Sequence, residues 1–205
     1  MMSISYGITV CNEHQELAKL LSLLEEYKKS GDEIVILIDK DNYTDEVLEV
    51  CKGFSIRPHF HSLNNNFADH KNELNKFCSK DYIFSIDADE LPNKLLMENL
   101  HDVVRENDTD LMYVPRVNTV KGITQNHIQK WGWKQNENGW INYPDYQPRI
   151  YRNKKGIKWE GKVHERIVGF DDYTKLPAYE ELSLYHHKHI DRQEKQNEMY
   201  DKIQR

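Results

Sequence analysis

Apolar residues in the first half of the chain follow two alternating rhythms. Residues 5–10 (SYGITV) and 33–39 (EIVILID) are short runs with the length of strands, the second continuous enough to be buried on both faces. Between them, Leu17, Leu20, Leu21, Leu24 and Tyr27 share one helical face in NEHQELAKLLSLLEEYKKSG, and Gly31 supplies a stop. YTDEVLEVCKGF predicts a second helix with Thr44 as N-cap and Gly53 at its end. A third unit pairs SIRPHFHSL, a strand weakened by Pro58, with a helix carrying Phe67, Lys71, Leu74 and Cys78 at helical spacing. The fourth opens with YIFSIDADE and continues into PNKLLMENLHDVVREN, where Leu95, Leu96, Leu100, Val103 and Val104 form an apolar face.

Repeated strand–helix units predict an α/β sheet with parallel strands and a site at their carboxyl ends. From Asp110 the rhythm changes. DLMYVPRV, YQPRIYR, GIKWEGKVHERI and ELSLYHH read as shorter strands between polar loops rich in Gly, Asn and Trp, and DRQEKQNEMYDKIQR reads as a polar terminal helix. One domain over residues 1–205 is expected. Residues 1–109 would form a nucleotide-binding half, 110–190 an acceptor-side half and 191–205 a closing helix.

With 205 residues, 38% hydrophobic and 30% charged, the chain suits a single folded core. No window resembles a membrane span and the first residues do not read as a secretory signal, so a cytoplasmic protein is expected. Cys11, Cys51 and Cys78 are too scattered for a disulfide framework or a zinc finger and read as free thiols. A net charge of −6 argues against a general polyanion binder, although RIYRNKKGIK is a local basic stretch that could meet phosphates.

The most informative segment is YIFSIDADEL, an apolar run that ends in Asp87, Asp89 and Glu90. In an extended segment, side chains two residues apart project to one side with Cα atoms roughly 6.6 Å apart, so one small ion is within reach of both Asp87 and Asp89. Oxygen ligands without a nearby cysteine favour Mg²⁺ or Mn²⁺, which takes one or two carboxylates and completes its shell with water and phosphate. The plainer reading is a solvated acidic turn before a helix.

In order along the chain, ITVCNEHQEL, VILIDKDNYTDEV, DHKNELNKF, FSIDADE and YQPRIYRNKKGIKWEGKVHERI resemble the family 2 glycosyltransferases, especially small bacterial and phage-type members. The resemblance spans about residues 4–190. It implies a GT-A, Rossmann-like fold of the nucleotide-diphospho-sugar transferases, a mixed central sheet with helices on both faces. It also implies a nucleotide site at Thr9, Asn12, Glu13, Asp39, Lys71, Asn72, Asp87 and Ala88. Asp39 would bind the base, Asp87 the ribose or the water shell of a metal, and Asp89 the metal itself. DKDNYTD stands where the family usually has Gly-Ser after the second strand, so the resemblance does not carry the base contacts of that loop over to this chain.

Loss of a diphosphate from a sugar develops negative charge, which a cation at Asp89 would stabilise. Glu165 in KVHER is the expected general base for an acceptor hydroxyl, attacking with inversion. His164 is a candidate third metal ligand or phosphate contact. Gln147 and Arg149 alternate on one strand face, toward acceptor and phosphate respectively. Trp133 or Trp140 is the expected sugar-stacking residue among four tryptophans, most of which belong in the core. The YHHKH cluster lacks zinc-ligand spacing, and His187 is the member expected near the metal and diphosphate.

The expected donor is a UDP-hexose, and the acceptor hydroxyl belongs to a glycan, a lipid-linked saccharide, a protein or a modified nucleobase. A non-catalytic carbohydrate-binding module with a structural Ca²⁺ is one alternative. A sugar nucleotidyltransferase is another, disfavoured because VCNEHQEL has no glycine to cradle phosphates. Asp87 and Asp89 stand too close together for a glycosidase pair.

Overall fold

Strand and helix alternate in the computed structural model as the apolar rhythm predicts, through β1 (Ile4–Val10), α1 (His14–Tyr27), β2 (Glu33–Asp39), α2 (Asp45–Gly53), β3 (His59–His61), α3 (Phe67–Phe77) and β4 (Tyr82–Asp87). The structure describes residues 2–204. The chain continues through β5 (Glu90–Pro92), α4 (Lys94–Asn107), β6 (Leu111–Val114), β7 (Arg116–Lys121), α5 (Gln125–Trp131) and β8 (Gln147–Arg152). Strands β9 (Lys158–Glu160), β10 (Arg166–Val168), β11 (Tyr173–Lys175) and β12 (Leu184–His189) lead to helix α6 (Ile190–Gln204).

The central sheet has seven strands in the order β11-β6-β8-β4-β1-β2-β3. Strands β1 to β4 are parallel, whereas β8 runs antiparallel between β4 and β6. Chain order reverses at β1, because β2 and β3 lie on one side of it and β4 on the other, which opens a crevice at the carboxyl ends of β1 and β4. Thr9 and Asp87 are register partners at that crevice. A smaller sheet, β5-β12-β7, brings the last strand alongside the turn that follows β4.

Alternation along the strands sorts the core into two layers. Ile4, Tyr6, Ile8, Phe84 and Ile86 pack with the buried leucines of α1 and α4, while Val35, Leu37 and Ile83 pack with α3, Tyr151 and Trp159. Helices therefore cover both faces. Gly7 lets α3 pack close to β1, since a Cβ there would stand 3.2 Å from a Leu74 methyl, which would have to give by a few tenths of an ångström. Tyr6 and His101 both meet the buried carboxylate of Asp32.

Three details depart from the sequence reading. Leu95 is exposed rather than part of the α4 core face, since the helical period puts it opposite the buried stripe of Leu96, Met97, Leu100, His101 and Val104. Thr44 stands at the N-cap of α2 without a side-chain cap bond. The stretch expected to be only polar loops contains α5, started by a Thr124–His127 capping box and ended by Gly132 in the left-handed region.

Candidate active site

A cleft of about 1190 Å³ opens where β1, β4, β8 and β12 converge. Thr9, Asn12, Glu13, Asp39, Lys71, Asp87, Ala88, Asp89, Gln147, Arg149, His164 and Glu165 all line it, as does Trp133. Sequence positions spread from the first strand to the last helix are thus gathered around one cavity.

The two aspartates do not share partners. Strand β4 stops at Asp87, and Ala88 and Asp89 form a turn, so the extended geometry expected for them is absent. Asp87 looks inward. Its Oδ1 accepts from the Thr9 hydroxyl at 3.1 Å and stands 3.2 Å from Lys71 Nζ, and its Oδ2 accepts from Arg149 Nη2 at 2.8 Å. Burial alone would raise its carboxyl, but Arg149 and Lys71 outweigh that and hold it well below the usual carboxylate range. Both oxygens of Asp87 are thus engaged by cationic or hydroxyl partners that Asp89 does not share.

Asp89 looks toward the last strand and helix. Its Oδ2 lies 3.3 Å from His186 Nε2 and 3.3 Å from Arg192 Nη2. Burial raises its carboxyl, and His186, Lys188 and Arg192 bring it far below the usual value. The His186 imidazole is itself shifted down by burial, despite the opposing pull of Asp89. Two ligands at right angles on an ion with bonds of about 2.1 Å stand roughly 3.0 Å apart, close to the 3.3 Å between Asp89 Oδ2 and His186 Nε2. The pair therefore fits two adjacent positions of a small cation. Among the described residues no group of three or more His, Cys, Asp or Glu side chains could hold one, so donor phosphates and water would have to complete the shell.

His186 was missed in favour of its neighbour. On β12 alternate side chains face opposite ways, and His187 is exposed and bonds Thr119 Oγ1 at 2.5 Å, away from Asp89. Period two along LYHHKH separates the two histidines. What it does not say is which one faces the cleft, and that is decided by the pairing of β12 with β5 and β7. His164 lines the cleft but packs on Tyr200 at 5.3 Å between ring centroids, and Asp89 takes its imidazole partner from β12.

Glu165 sits in the β9–β10 turn, a tight connection with Gly161 at φ +103° and His164 at φ +53°. Its Oε1 accepts from Lys71 Nζ at 2.7 Å, so one buried ammonium joins Asp87 to the candidate base. Asp87 and Glu165 raise the Lys71 ammonium against the downward push of its burial. Arg149 is buried and spends Nη2 on Asp87 and Glu90, while its Nε has no hydrogen-bond partner among the described residues. Gln147 shares its strand face and donates to Asp145 at 2.9 Å.

At the end of β2, Asp39 accepts from Leu63 N at 3.1 Å and from Asn42 Nδ2 at 2.8 Å, tying down the DKDN loop. Glu13 folds back to accept from the Cys11 and Asn12 amides at 2.9 and 3.0 Å. Asn72 and Trp140 do not line the cleft. Asn72 exchanges hydrogen bonds with the Trp159 backbone at 2.9 Å, and Trp140 packs on Tyr143. Trp159 is core. Trp133, half-buried, packs on Trp131 at 4.7 Å beside the cleft.

The basic stretch is divided by β8. Arg149 reaches the cleft, whereas Arg152 and Lys154 lie toward the opposite end and pair with Asp108, Asp110 and Asp171. It forms no continuous phosphate-binding patch. Helix α6 was read as merely polar, yet it supplies Arg192, Gln196 and Tyr200 to the cleft wall. Its residues carry no apolar periodicity or motif, so only the fold places them there.

A parallel half whose switch point carries paired acids and cations, joined to a mixed half across a wide cleft, is the layout of a GT-A glycosyltransferase fold. The family described as glycosyl transferase family 2 matches residues 5–174, and the chain belongs to it. The glycosyltransferase SunS of Bacillus phage SPbeta is 24% identical over 190 residues, covering 90% of this chain and 39% of SunS. The poly(ribitol-phosphate) beta-N-acetylglucosaminyltransferase TarP of Staphylococcus aureus is 28% identical over 117 residues, 55% of this chain and 36% of TarP. This chain thus spans about two fifths of the length of these relatives. Among solved structures, S. aureus TarS residues 1–349 with UDP-GlcNAc superimposes with a TM-score of 0.59 at 14% identity, covering 92% of this chain and 59% of that one. That similarity is one of fold.

Proposed function

We propose that this chain is a cation-dependent, inverting glycosyltransferase that moves a sugar from a nucleotide diphosphate, a UDP-hexose, to an acceptor hydroxyl. The observation that carries the reading is the pairing of Asp89 with His186 in the crevice at the carboxyl ends of β1 and β4, beside the Lys71-bridged acids Asp87 and Glu165. The crystallisation of TarS with UDP-GlcNAc and with UDP supports a uridine nucleotide as the donor's carrier.

Asp89 and His186 would hold Mn²⁺ or Mg²⁺, and the imidazole nitrogen favours the transition ion. When bound, the ion would neutralise charge developing on the departing diphosphate. Asp87, locked by Thr9, Lys71 and Arg149, is set to receive the ribose, and Asp39 stands at the base end of the cleft. Lys71 takes only Oε1 of Glu165, and Oε2 accepts no hydrogen bond among the described residues. That oxygen is the one to take the proton from the acceptor hydroxyl as it attacks the anomeric carbon from the face opposite the leaving group. Trp133 offers the acceptor sugar an apolar face at the rim.

Melting temperature with UDP, with and without Mn²⁺, tests the donor site. Wild type should be stabilised by UDP only when Mn²⁺ is present, and Asp89→Asn should lose that response. Glu165→Gln should keep it while release of UDP from a UDP-hexose falls about 100- to 10,000-fold, the usual range for a lost general base. Equal stabilisation of Asp89→Asn overturns the cation site. Undiminished turnover in Glu165→Gln assigns the base elsewhere, and binding without any turnover in wild type favours a carbohydrate-binding module.

A further inference from the structure

Helix α6 carries a side chain that stands on the cation seat. Arg192 Nη2 lies 2.7 Å from Glu13 Oε1 and 3.3 Å from Asp89 Oδ2, the same oxygen that faces His186. The guanidinium therefore bridges the loop after β1 to the turn after β4, across the mouth of the nucleotide crevice. An ion bonded to Asp89 Oδ2 at about 2.1 Å would come close to that guanidinium, and two like charges sharing one oxygen repel each other.

The helix that delivers Arg192 is loosely attached. None of its residues with described burial is buried, in contrast to the leucine-studded face of α1. Its links to the body include the Lys188–Gln196 hydrogen bond, the Tyr200 contacts with Phe67 and His164, Glu194 at 3.7 Å from His127, Ile190 against Gly122, and Arg192 itself, nearly all of them polar or at the surface. Arg192 keeps 38% of its side chain exposed, while Lys71 at the neighbouring acid keeps 4%. A contact with so little burial behind it can be exchanged at modest cost.

From this geometry we infer that Arg192 is an exchangeable counter-cation. It neutralises Asp89 and Glu13, gives way when the divalent ion takes Asp89, and then donates to the diphosphate that the ion brings with it. Arg192 is thereby both a competitor of the free ion and a ligand of the ion–nucleotide pair, so entry of the donor and placement of α6 are linked. The inference rests on the donor-site reading above and assigns a role to a helix outside its motifs.

The two roles predict opposite effects from one substitution. Free Mn²⁺, followed by its electron paramagnetic resonance signal, should bind Arg192→Ala roughly fivefold more tightly than wild type, the size expected for removing a partly exposed charge competitor. UDP titrated calorimetrically in saturating Mn²⁺ should bind the same variant roughly tenfold more weakly, the loss of a charge-assisted hydrogen bond. Arg192→Lys keeps the charge and should return Mn²⁺ affinity most of the way to wild type. If Arg192→Ala leaves Mn²⁺ affinity unchanged or weaker, or leaves UDP affinity intact, the inference is overturned while the donor site stands. If wild type binds neither Mn²⁺ nor UDP, both fall together.

Discussion

Asp87 and Asp89 stand two residues apart and live in different regions of the molecule. Asp87 is held by Lys71 from α3 and Arg149 from β8, both almost fully buried, and by a hydroxyl from the adjacent strand. Asp89 is held by His186 from β12 and by Arg192 from an exposed helix. The partners of the first are rooted in the folding core, although the Asp87 side chain itself is 32% exposed. The second set includes Arg192, 38% exposed at the edge, although Asp89 is only 14% exposed. Breaking a buried pair strands a charge in a low-dielectric interior, whereas an edge contact is replaced by water. On the proposed reading, the neighbouring acids would divide the work between a fixed frame and an exchangeable seat.

The largest effect should come from the frame. Lys71→Met leaves Glu165 and one oxygen of Asp87 without their ammonium, and removal of one partner of a buried pair costs about 3–5 kcal/mol. Urea denaturation should show a loss of that order, while Arg192→Ala stays within about 0.5 kcal/mol of wild type, as exposed substitutions do. Equal costs in the two variants would erase the distinction between the regions.

How much could be read without the fold follows the same division. The parallel units, the two-sided core and the acids at the end of β4 were legible because each is written within one stretch of chain as an apolar run, a helical repeat or a DAD turn. Thr9, Lys71, Arg149 and Glu165 were reached by resemblance to family motifs, and the fold gathers all four around the cleft. The misplaced cleft residues share one cause. Period two along β12 cannot tell which of His186 and His187 faces inward, and nothing in DRQEKQNEMYDKIQR reveals that Arg192 crosses to Glu13. Those choices depend on packing between segments far apart in sequence, as do the diversion of Asn72 to the Trp159 backbone and of Trp140 to Tyr143.

The two histidines of β12 sharpen the comparison within one strand. His186→Gln removes one of the two side chains proposed to hold the cation, and Mn²⁺ affinity should fall about 10- to 100-fold. His187→Gln changes an exposed side chain on the opposite face and should leave affinity within about twofold, roughly 0.4 kcal/mol. Mn²⁺ titration of both proteins measures the contrast directly. If His187→Gln shows the larger loss, β12 faces the cleft with its other side and the edge region has been assigned backwards.

The smallest effect returns to the frame, one residue before Lys71. His70 is 4% exposed on α3, its Nδ1 lies 3.2 Å from His61 Nδ1, and Asp39, Asp69 and Lys71 are its other charged neighbours. Burial, followed by the charge of His61, pushes the imidazole down from 6.5 to about 4. Its folded value lies below its unfolded one, so between them the unfolded chain binds the extra proton and stability must fall as pH falls. The loss contributed by His70 from about pH 7 to pH 5 should be on the order of 1–2 kcal/mol. Unfolding free energies of wild type and His70→Gln, compared across that interval, should converge toward low pH as the wild type gives up its advantage. Parallel curves would mean that His70 titrates alike in both states and that its burial on α3 does not hold its proton off.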